Sequence, residues 1–175
     1  DLIPIHINDM TELYEYEMEN IAEAIAWSRS TGKNHMDYLV WLELHQIMLC
    51  DVWKFAGKVR TVELNNPDFL MPYDVLPELK ALQDNFRYWL KNNTFNEKEM
   101  IARLHERLLT IHPFKDGNGR WSRLLINFIC IKENLESPKW GAAVIDDEER
   151  RKIYLTSVER ARKQDDFRDL IIFMY

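Results

Sequence analysis

Glycine is scarce in this chain, with five residues in 175, against an average usage of about 7%. Cysteine is scarcer. Cys50 and Cys130 stand far apart, with no CxxC spacing to suggest a zinc or redox centre. Two isolated thiols in apolar surroundings read as buried core residues of a reducing compartment. No apolar run approaches the roughly 20 residues of a membrane span. The N-terminal residues, which begin at Asp1, show no signal-peptide pattern. Positive charge is also in deficit. A formal net charge of −6 argues against direct nucleic-acid binding and against an anionic membrane surface, though a local basic pocket fits within that total. With 46% hydrophobic and 30% charged residues, the expectation is one soluble cytoplasmic domain over residues 1–175.

Most of the chain carries a helical period. From Thr11 to Ser30, residues Leu13, Tyr14, Met18, Ile21, Ala22 and Ile25 recur at helical spacing, giving an N-terminal helix within residues 1–30. A second helix is expected over Met36–Leu49, with Asp37 or Asn34 at its start. A third runs from Val75 to Trp89 or Leu90. The next opens with either of two capping-box registers, Thr94 with Glu97 or Asn96 with Glu99. It carries the apolar stripe Met100, Ile101, Leu104, Leu108 and Ile111. Further helices are expected from Arg120 to Glu133, with Leu124, Leu125, Phe128 and Ile129 inward, and over Asp147–Tyr175 in one or two pieces. Between Val59 and Tyr73, a β-branched run, the turn cluster NNPD and a short apolar run read as a hairpin. The expected architecture is therefore all-α, a helical bundle with one small β-hairpin.

Two of the scarce glycines fall within three residues, in HPFKDGNGRWSR at 112–123. This stretch joins two helices, so Asp-Gly-Asn-Gly-Arg opens the second one. A helix N-terminus presents unpaired N–H groups and partial positive charge. Glycines let successive amides converge on one anion as a nest. Arg120 and Arg123, three apart, share a helix face and offer two guanidinium forks to phosphate oxygens. Asp116 would repel a bare phosphate but suits a Mg²⁺ between carboxylate and phosphates. His112, as a neutral imidazole, can take a proton from a hydroxyl. Base, metal ligand, nest and arginines are the parts of transfer at phosphorus. The alternative is an ordinary helix–loop–helix turn. No P-loop, zinc HExxH or G-x-S-x-G elbow is present; HERLL at His105 lacks the second histidine.

The stretch resembles the motif of the Fic family, HPFx[D/E]GNGRxxR, at all nine specified positions. DVWKFAGKVRT at 51–61 is similar to the tryptophan–alanine–glycine segment before that family's hairpin flap. DLIPIHI at the start and the Glu17, Asn20, Ile21 helix resemble more narrowly the mobile mystery protein B subgroup. The resemblance implies a protein adenylyltransferase that moves AMP from ATP to a Tyr, Thr or Ser hydroxyl of a target protein. On it, His112 is the base and Asp116 holds Mg²⁺. The nucleotide is bound by Phe114, Lys115, Asp116, Gly117, Asn118, Gly119, Arg120 and Arg123, with Phe114 anchoring the loop from the core. The 59–73 hairpin clamps target backbone by strand addition. Members of the family are often restrained by a helix bearing [S/T]xxxE[G/N]. Glu15 and Glu19 are the candidates here, and neither matches fully: Tyr16 follows Glu15, and Glu15 stands where Ser or Thr precedes Glu19. Without such a brake, restraint falls to a separate antitoxin or a homo-oligomer.

His45 and His105 lie in apolar helical patterns and read as core histidines, while His6 and His35 show no partner spacing. The tryptophans read as core and interface area, with Trp121 placed to shape a nucleotide pocket. Two other functions remain open: transfer of phosphate or another phosphate-containing group, and a nucleotide- or peptide-binding module without turnover in a toxin–antitoxin complex.

Overall fold

The structure is a computed structural model that describes residues 2, 3 and 9–175. Among the described residues the helices are α1 (Met10–Ser30), α2 (Tyr38–Leu49), α3 (Val75–Asn92), α4 (Glu97–Ile111), α5 (Asn118–Glu133), α6 (Asp147–Gln164) and α7 (Arg168–Met174), with a 3-10 turn at Pro72–Asp74. No strand occurs among the described residues, and the one β-bridge pairs Leu2 with Trp53. The all-α expectation holds, and the last segment is two helices. His6 and most of the opening stretch lie outside the described residues. None of the described helices is long and apolar enough to cross a membrane.

Local chemistry accounts for the boundaries. The Asp9 carboxylate accepts from the Thr11 and Glu12 amides and starts α1. Asp37 caps α2 and Asp146 caps α6. Asn96 accepts from the Glu99 amide, so the second of the two capping registers is the one used. Asn93 and Asn134 end α3 and α5 in left-handed conformation. The central element is α4, packed against α3, α5, α6 and α7. Met100, Ile101, Leu104, Leu108 and Ile111 are buried, as their spacing predicts.

Burial departs from apolar spacing on α1 and from the expectation for Cys50. On α1 the buried residues are Glu17, Asn20, Ala24 and Ser28, whereas Tyr14, Met18 and Ala22 are exposed. The helix turns this way because its polar groups find partners inside. Glu17 accepts from Trp53 Nε1 at 2.7 Å, and Asn20 bonds both the Asp51 carboxylate and the Asp51 amide at 3.0 Å. Cys50 is exposed just beyond α2, while Cys130 is buried as expected.

The segment 59–73 is an irregular loop rather than a hairpin. Its NNPD turn does form, with Asn66 accepting from the Asp68 amide at 2.9 Å. Its arms pair with other elements instead of each other. The Arg60 amide donates to Pro113 O at 2.9 Å and the Leu70 amide to Thr110 O at 3.2 Å. The Arg60 side chain, 5% exposed, donates to the carbonyls of Val62, Leu70, Ile111 and His112. One guanidinium thus takes the acceptors that a β-ladder would need and ties the loop to the end of α4. Arg60→Met is expected to cost about 3 kcal/mol, because a charge-assisted donor set is removed from buried carbonyls. Urea unfolding checks this; a loss below about 0.5 kcal/mol would mean that water replaces the guanidinium.

Candidate active site

The 112–118 turn begins where α4 ends. His112 closes that helix in left-handed conformation, φ 48°, its amide donating to Leu108 O. For a side chain with a Cβ this conformation costs about 1 kcal/mol. Arg60 Nε holds the His112 carbonyl at 2.7 Å and keeps the reversal in place. His112 Nδ1 donates to Leu109 O at 3.1 Å, so the proton sits on Nδ1 and the Nε2 lone pair is the basic one. The Phe69 ring stacks on the imidazole at 3.7 Å and 17°. It fixes the ring plane without occupying a nitrogen. Burial, aided by Arg60 and Arg162, pushes the His112 pKa down to about 4 against the pull of the Leu109 bond and Asp116. The imidazole is therefore neutral at pH 7.

Phe114 is fully buried, stacked on His45 at 3.5 Å and 9° and edge-on to Trp121 at 5.0 Å. It bears on a ligand only through the shape of the loop. Asn118 closes that loop, its side chain bonding both the amide (3.0 Å) and the carbonyl (2.8 Å) of Phe114. Trp121 is core: its indole N–H donates to Trp41 O at 2.7 Å, and no surface remains for a pocket. Gly117 reaches φ 80°, and no side chain caps the first turn of α5. Its N–H groups therefore have no side-chain cap, the arrangement that suits an anion. A Cβ on Gly119 would meet nothing within 4 Å, so crowding by the protein does not require that glycine. Its bareness opens the backbone to a ligand. Lys115 and Asp116 are exposed at the turn, and one Asp116 carboxylate oxygen accepts from the Gly117 amide at 2.6 Å.

The two arginines take different directions. Arg120 Nη1 pairs with the Glu17 carboxylate of α1. Arg123 lies over the Tyr154 ring of α6 at 5.6 Å. Beside Arg123 a cavity of about 410 Å³ opens, walled by Trp140, Tyr154 and Phe173 and edged by Arg150 and Arg151. Glu15 and Glu19 are exposed on α1; the acid that reaches the site is Glu17, between them. A stripe of polar and small residues at 17, 20, 24 and 28 is the signal that could have identified it.

His45 and His105 are packed as expected, each fully buried. Burial lowers their pKa values to about 4 and about 3. His35 does have a partner, Glu133. Nothing in the sequence pattern marked Phe69 or Tyr154 as neighbours of the loop.

Comparisons with known proteins agree on one family. The model of the Fic/DOC family matches residues 36–130, more than half of the chain. The protein adenylyltransferase Fic of Aedes aegypti is 30% identical over 147 residues, covering 79% of this chain and 28% of that one. The chain thus spans under a third of the length of the first curated relatives it matches. Residues 134–508 of Fic-1 from C. elegans share its structure with a TM-score of 0.73 at 26% identity, over 98% of this chain and 50% of that one. The BepC protein of Bartonella tribocorum, solved with AMPPNP bound, superposes with a TM-score of 0.70 at 17% identity, over 96% and 87% of the two chains. That likeness is one of fold.

His45 and His105, both buried, and the half-buried His112 set a pH dependence of stability. Their unfolded pKa is 6.5 and their folded values are about 4, 3 and 4 for His45, His105 and His112. Below pH 6.5 the unfolded chain takes up protons that the native one refuses. Stability therefore falls as pH drops from 6.5 towards 4, by up to about 1.4 kcal/mol per pH unit for each histidine. Urea midpoints at pH 7, 5.5 and 4.5 should decline in step; a flat profile would mean that these groups titrate normally.

Proposed function

The chain belongs to the Fic/DOC family, and from that membership and the loop geometry we infer that it is a protein adenylyltransferase. It moves AMP from ATP to a Tyr, Thr or Ser hydroxyl of a target protein. One observation carries this reading: an uncapped helix turn, bared by Gly119, stands beside a histidine whose Nδ1 is committed and whose Nε2 is basic. His112 Nε2 takes the hydroxyl proton as the oxygen bonds to the α-phosphorus and the bond to the leaving pyrophosphate breaks. The amides of Asn118 and Gly119 receive the α- and β-phosphates, joined by that of Gly117 when its bond to the Asp116 carboxylate gives way, with Lys115 at the rim and Phe114 beneath the turn. Arg120 helps fix the phosphate chain and Arg123 pairs with the γ-phosphate.

Asp116 would hold Mg²⁺. A single exposed carboxylate suits that ion, which keeps water and phosphate oxygens as its other ligands. Among the described residues no cluster of three ligating side chains offers a closed site. Bound there, Mg²⁺ would neutralise charge on the phosphate oxygens. The 59–73 loop faces the target backbone in this scheme. Residues 1–175 are read as one Fic domain, working in the cytoplasm on the strength of its unpaired thiols. Its opening and Glu17, Asn20 and Ile21 align it with the mobile mystery protein B subgroup.

Glu17 takes the restraining place that Glu15 and Glu19 do not, since its carboxylate occupies the arginine that phosphate would need. Exposed Met10, Tyr14 and Met18 on the same helix favour a further partner there, a separate antitoxin or a second copy.

ATP labelled at the α or the γ phosphorus tests the reaction. Label on protein from the α position alone, lost in His112→Ala while that variant still binds ATP, is the expected outcome; label from the γ position would establish phosphoryl transfer instead. No label from either would favour a binding module without turnover. Glu17→Gly should raise self-modification at least tenfold, the scale of one lost charge pair, with Glu15→Gly and Glu19→Gly unchanged. Equal rates in all three and the wild type would remove α1 as a brake.

A further inference from the structure

We propose that His45, on α2 and outside the 112–123 stretch, is the positioning residue of the anion-binding turn, its imidazole orienting the Asp116–Gly117 peptide and with it the amides of Gly117–Gly119. The proposal rests on reading that turn as the phosphate site. His45 is fully buried and uses both ring nitrogens in opposite senses. The Gly57 N–H donates to Nδ1 at 3.0 Å, so Nδ1 has no proton. Nε2 must then carry the hydrogen that is donated to Asp116 O, also at 3.0 Å. Only one neutral tautomer satisfies both contacts.

The consequence for the turn follows from peptide geometry. The carbonyl of Asp116 and the N–H of Gly117 belong to one trans peptide and point in opposite directions. Drawing the carbonyl down onto His45 turns the amide up, where it meets the Asp116 carboxylate at 2.6 Å. The peptide plane and the carboxylate are thereby set together. Gly117 lies flush on the same ring: a Cβ there would come within 3.1 Å of His45 Nε2 and 2.9 Å of Leu49. Phe114 stacks on the ring face and closes the loop from below. At the other nitrogen, Gly57 adopts φ 71° just before the 59–73 loop. One imidazole thus sets two glycine turns, the second at the foot of the segment that faces a target. Packing alone would need neither the two polar contacts nor a particular tautomer.

Two substitutions separate these contacts. Glutamine can place its amide nitrogen near the Nε2 position and keep the donor to Asp116. Asparagine can place its amide oxygen near Nδ1 and keep only the acceptor for Gly57. Mg·ADP affinity by calorimetry and urea stability would be measured on wild type, His45→Gln and His45→Asn. Expected is ADP affinity within about threefold of wild type for His45→Gln and a loss of about tenfold or more for His45→Asn, at similar stability. Affinity that merely follows the unfolding midpoint, or is equal in all three proteins, would overturn the proposal. So would failure of the wild type to bind ADP, since no anion site would remain to be positioned. ADP binding without AMP transfer from ATP would sink the functional reading alone. On the unmutated protein, imidazole ¹⁵N shifts should report an Nε2–H tautomer for His45; an Nδ1–H tautomer would rule the arrangement out.

Discussion

The Arg60 guanidinium lies buried among carbonyls, not carboxylates, and the site depends on it. A helix end leaves its last carbonyls unpaired, and α4 ends in the interior, where water cannot serve them. Arg60 supplies the missing donors to Ile111 and His112 and reaches Val62 and Leu70 with the same group. His112 can then hold a left-handed conformation that costs energy elsewhere. The side chain is turned so that Nδ1 meets Leu109 O and Phe69 covers its face. The orientation of His112 and the course of the loop are thus two results of one buried charge.

A second constraint acts from below. Phe114 stacks on His45 and meets Trp121 edge-on, and all three rings are fully buried beneath the turn. Asn118 closes the turn from within. The Asn118 side chain is therefore spent on holding the shape of the loop, and the first turn of α5 carries no side-chain cap. That division suits an anion site: a preorganised set of N–H groups loses little order when a ligand arrives.

Charge pairing over the site is set by α1, whose inner face is polar. Glu17 meets both Trp53 and Arg120, and Asn20 meets Asp51. The exposed apolar residues on the outer face are the counterpart of that choice. A helix ordinarily buries its apolar stripe; here the polar partners within the bundle outweigh it, since an unpaired Arg120 or indole N–H would cost more than a few solvated methyl groups.

Helix extents were legible from local rules. Capping side chains at Asp37 and Asn96, and the apolar stripe of α4, involve residues within a turn or two of each other. The 112–123 stretch was legible as a candidate site for the same reason: histidine, carboxylate, glycines and arginines are close in sequence. The hairpin failed because β-propensity describes a pleated surface and does not say which acceptors will be free; Arg60 had taken them. The inner face of α1 failed because periodicity says which residues share a face, not what that face meets. By itself, then, the sequence determined the helices and marked the stretch that forms the candidate site. The tertiary structure alone decided that Glu17 sits on Arg120, that His45 holds Asp116, and that Arg120 and Arg123 part company. Each of these pairings is a matter of which elements the shared core brings within hydrogen-bond reach, and no local pattern encodes it.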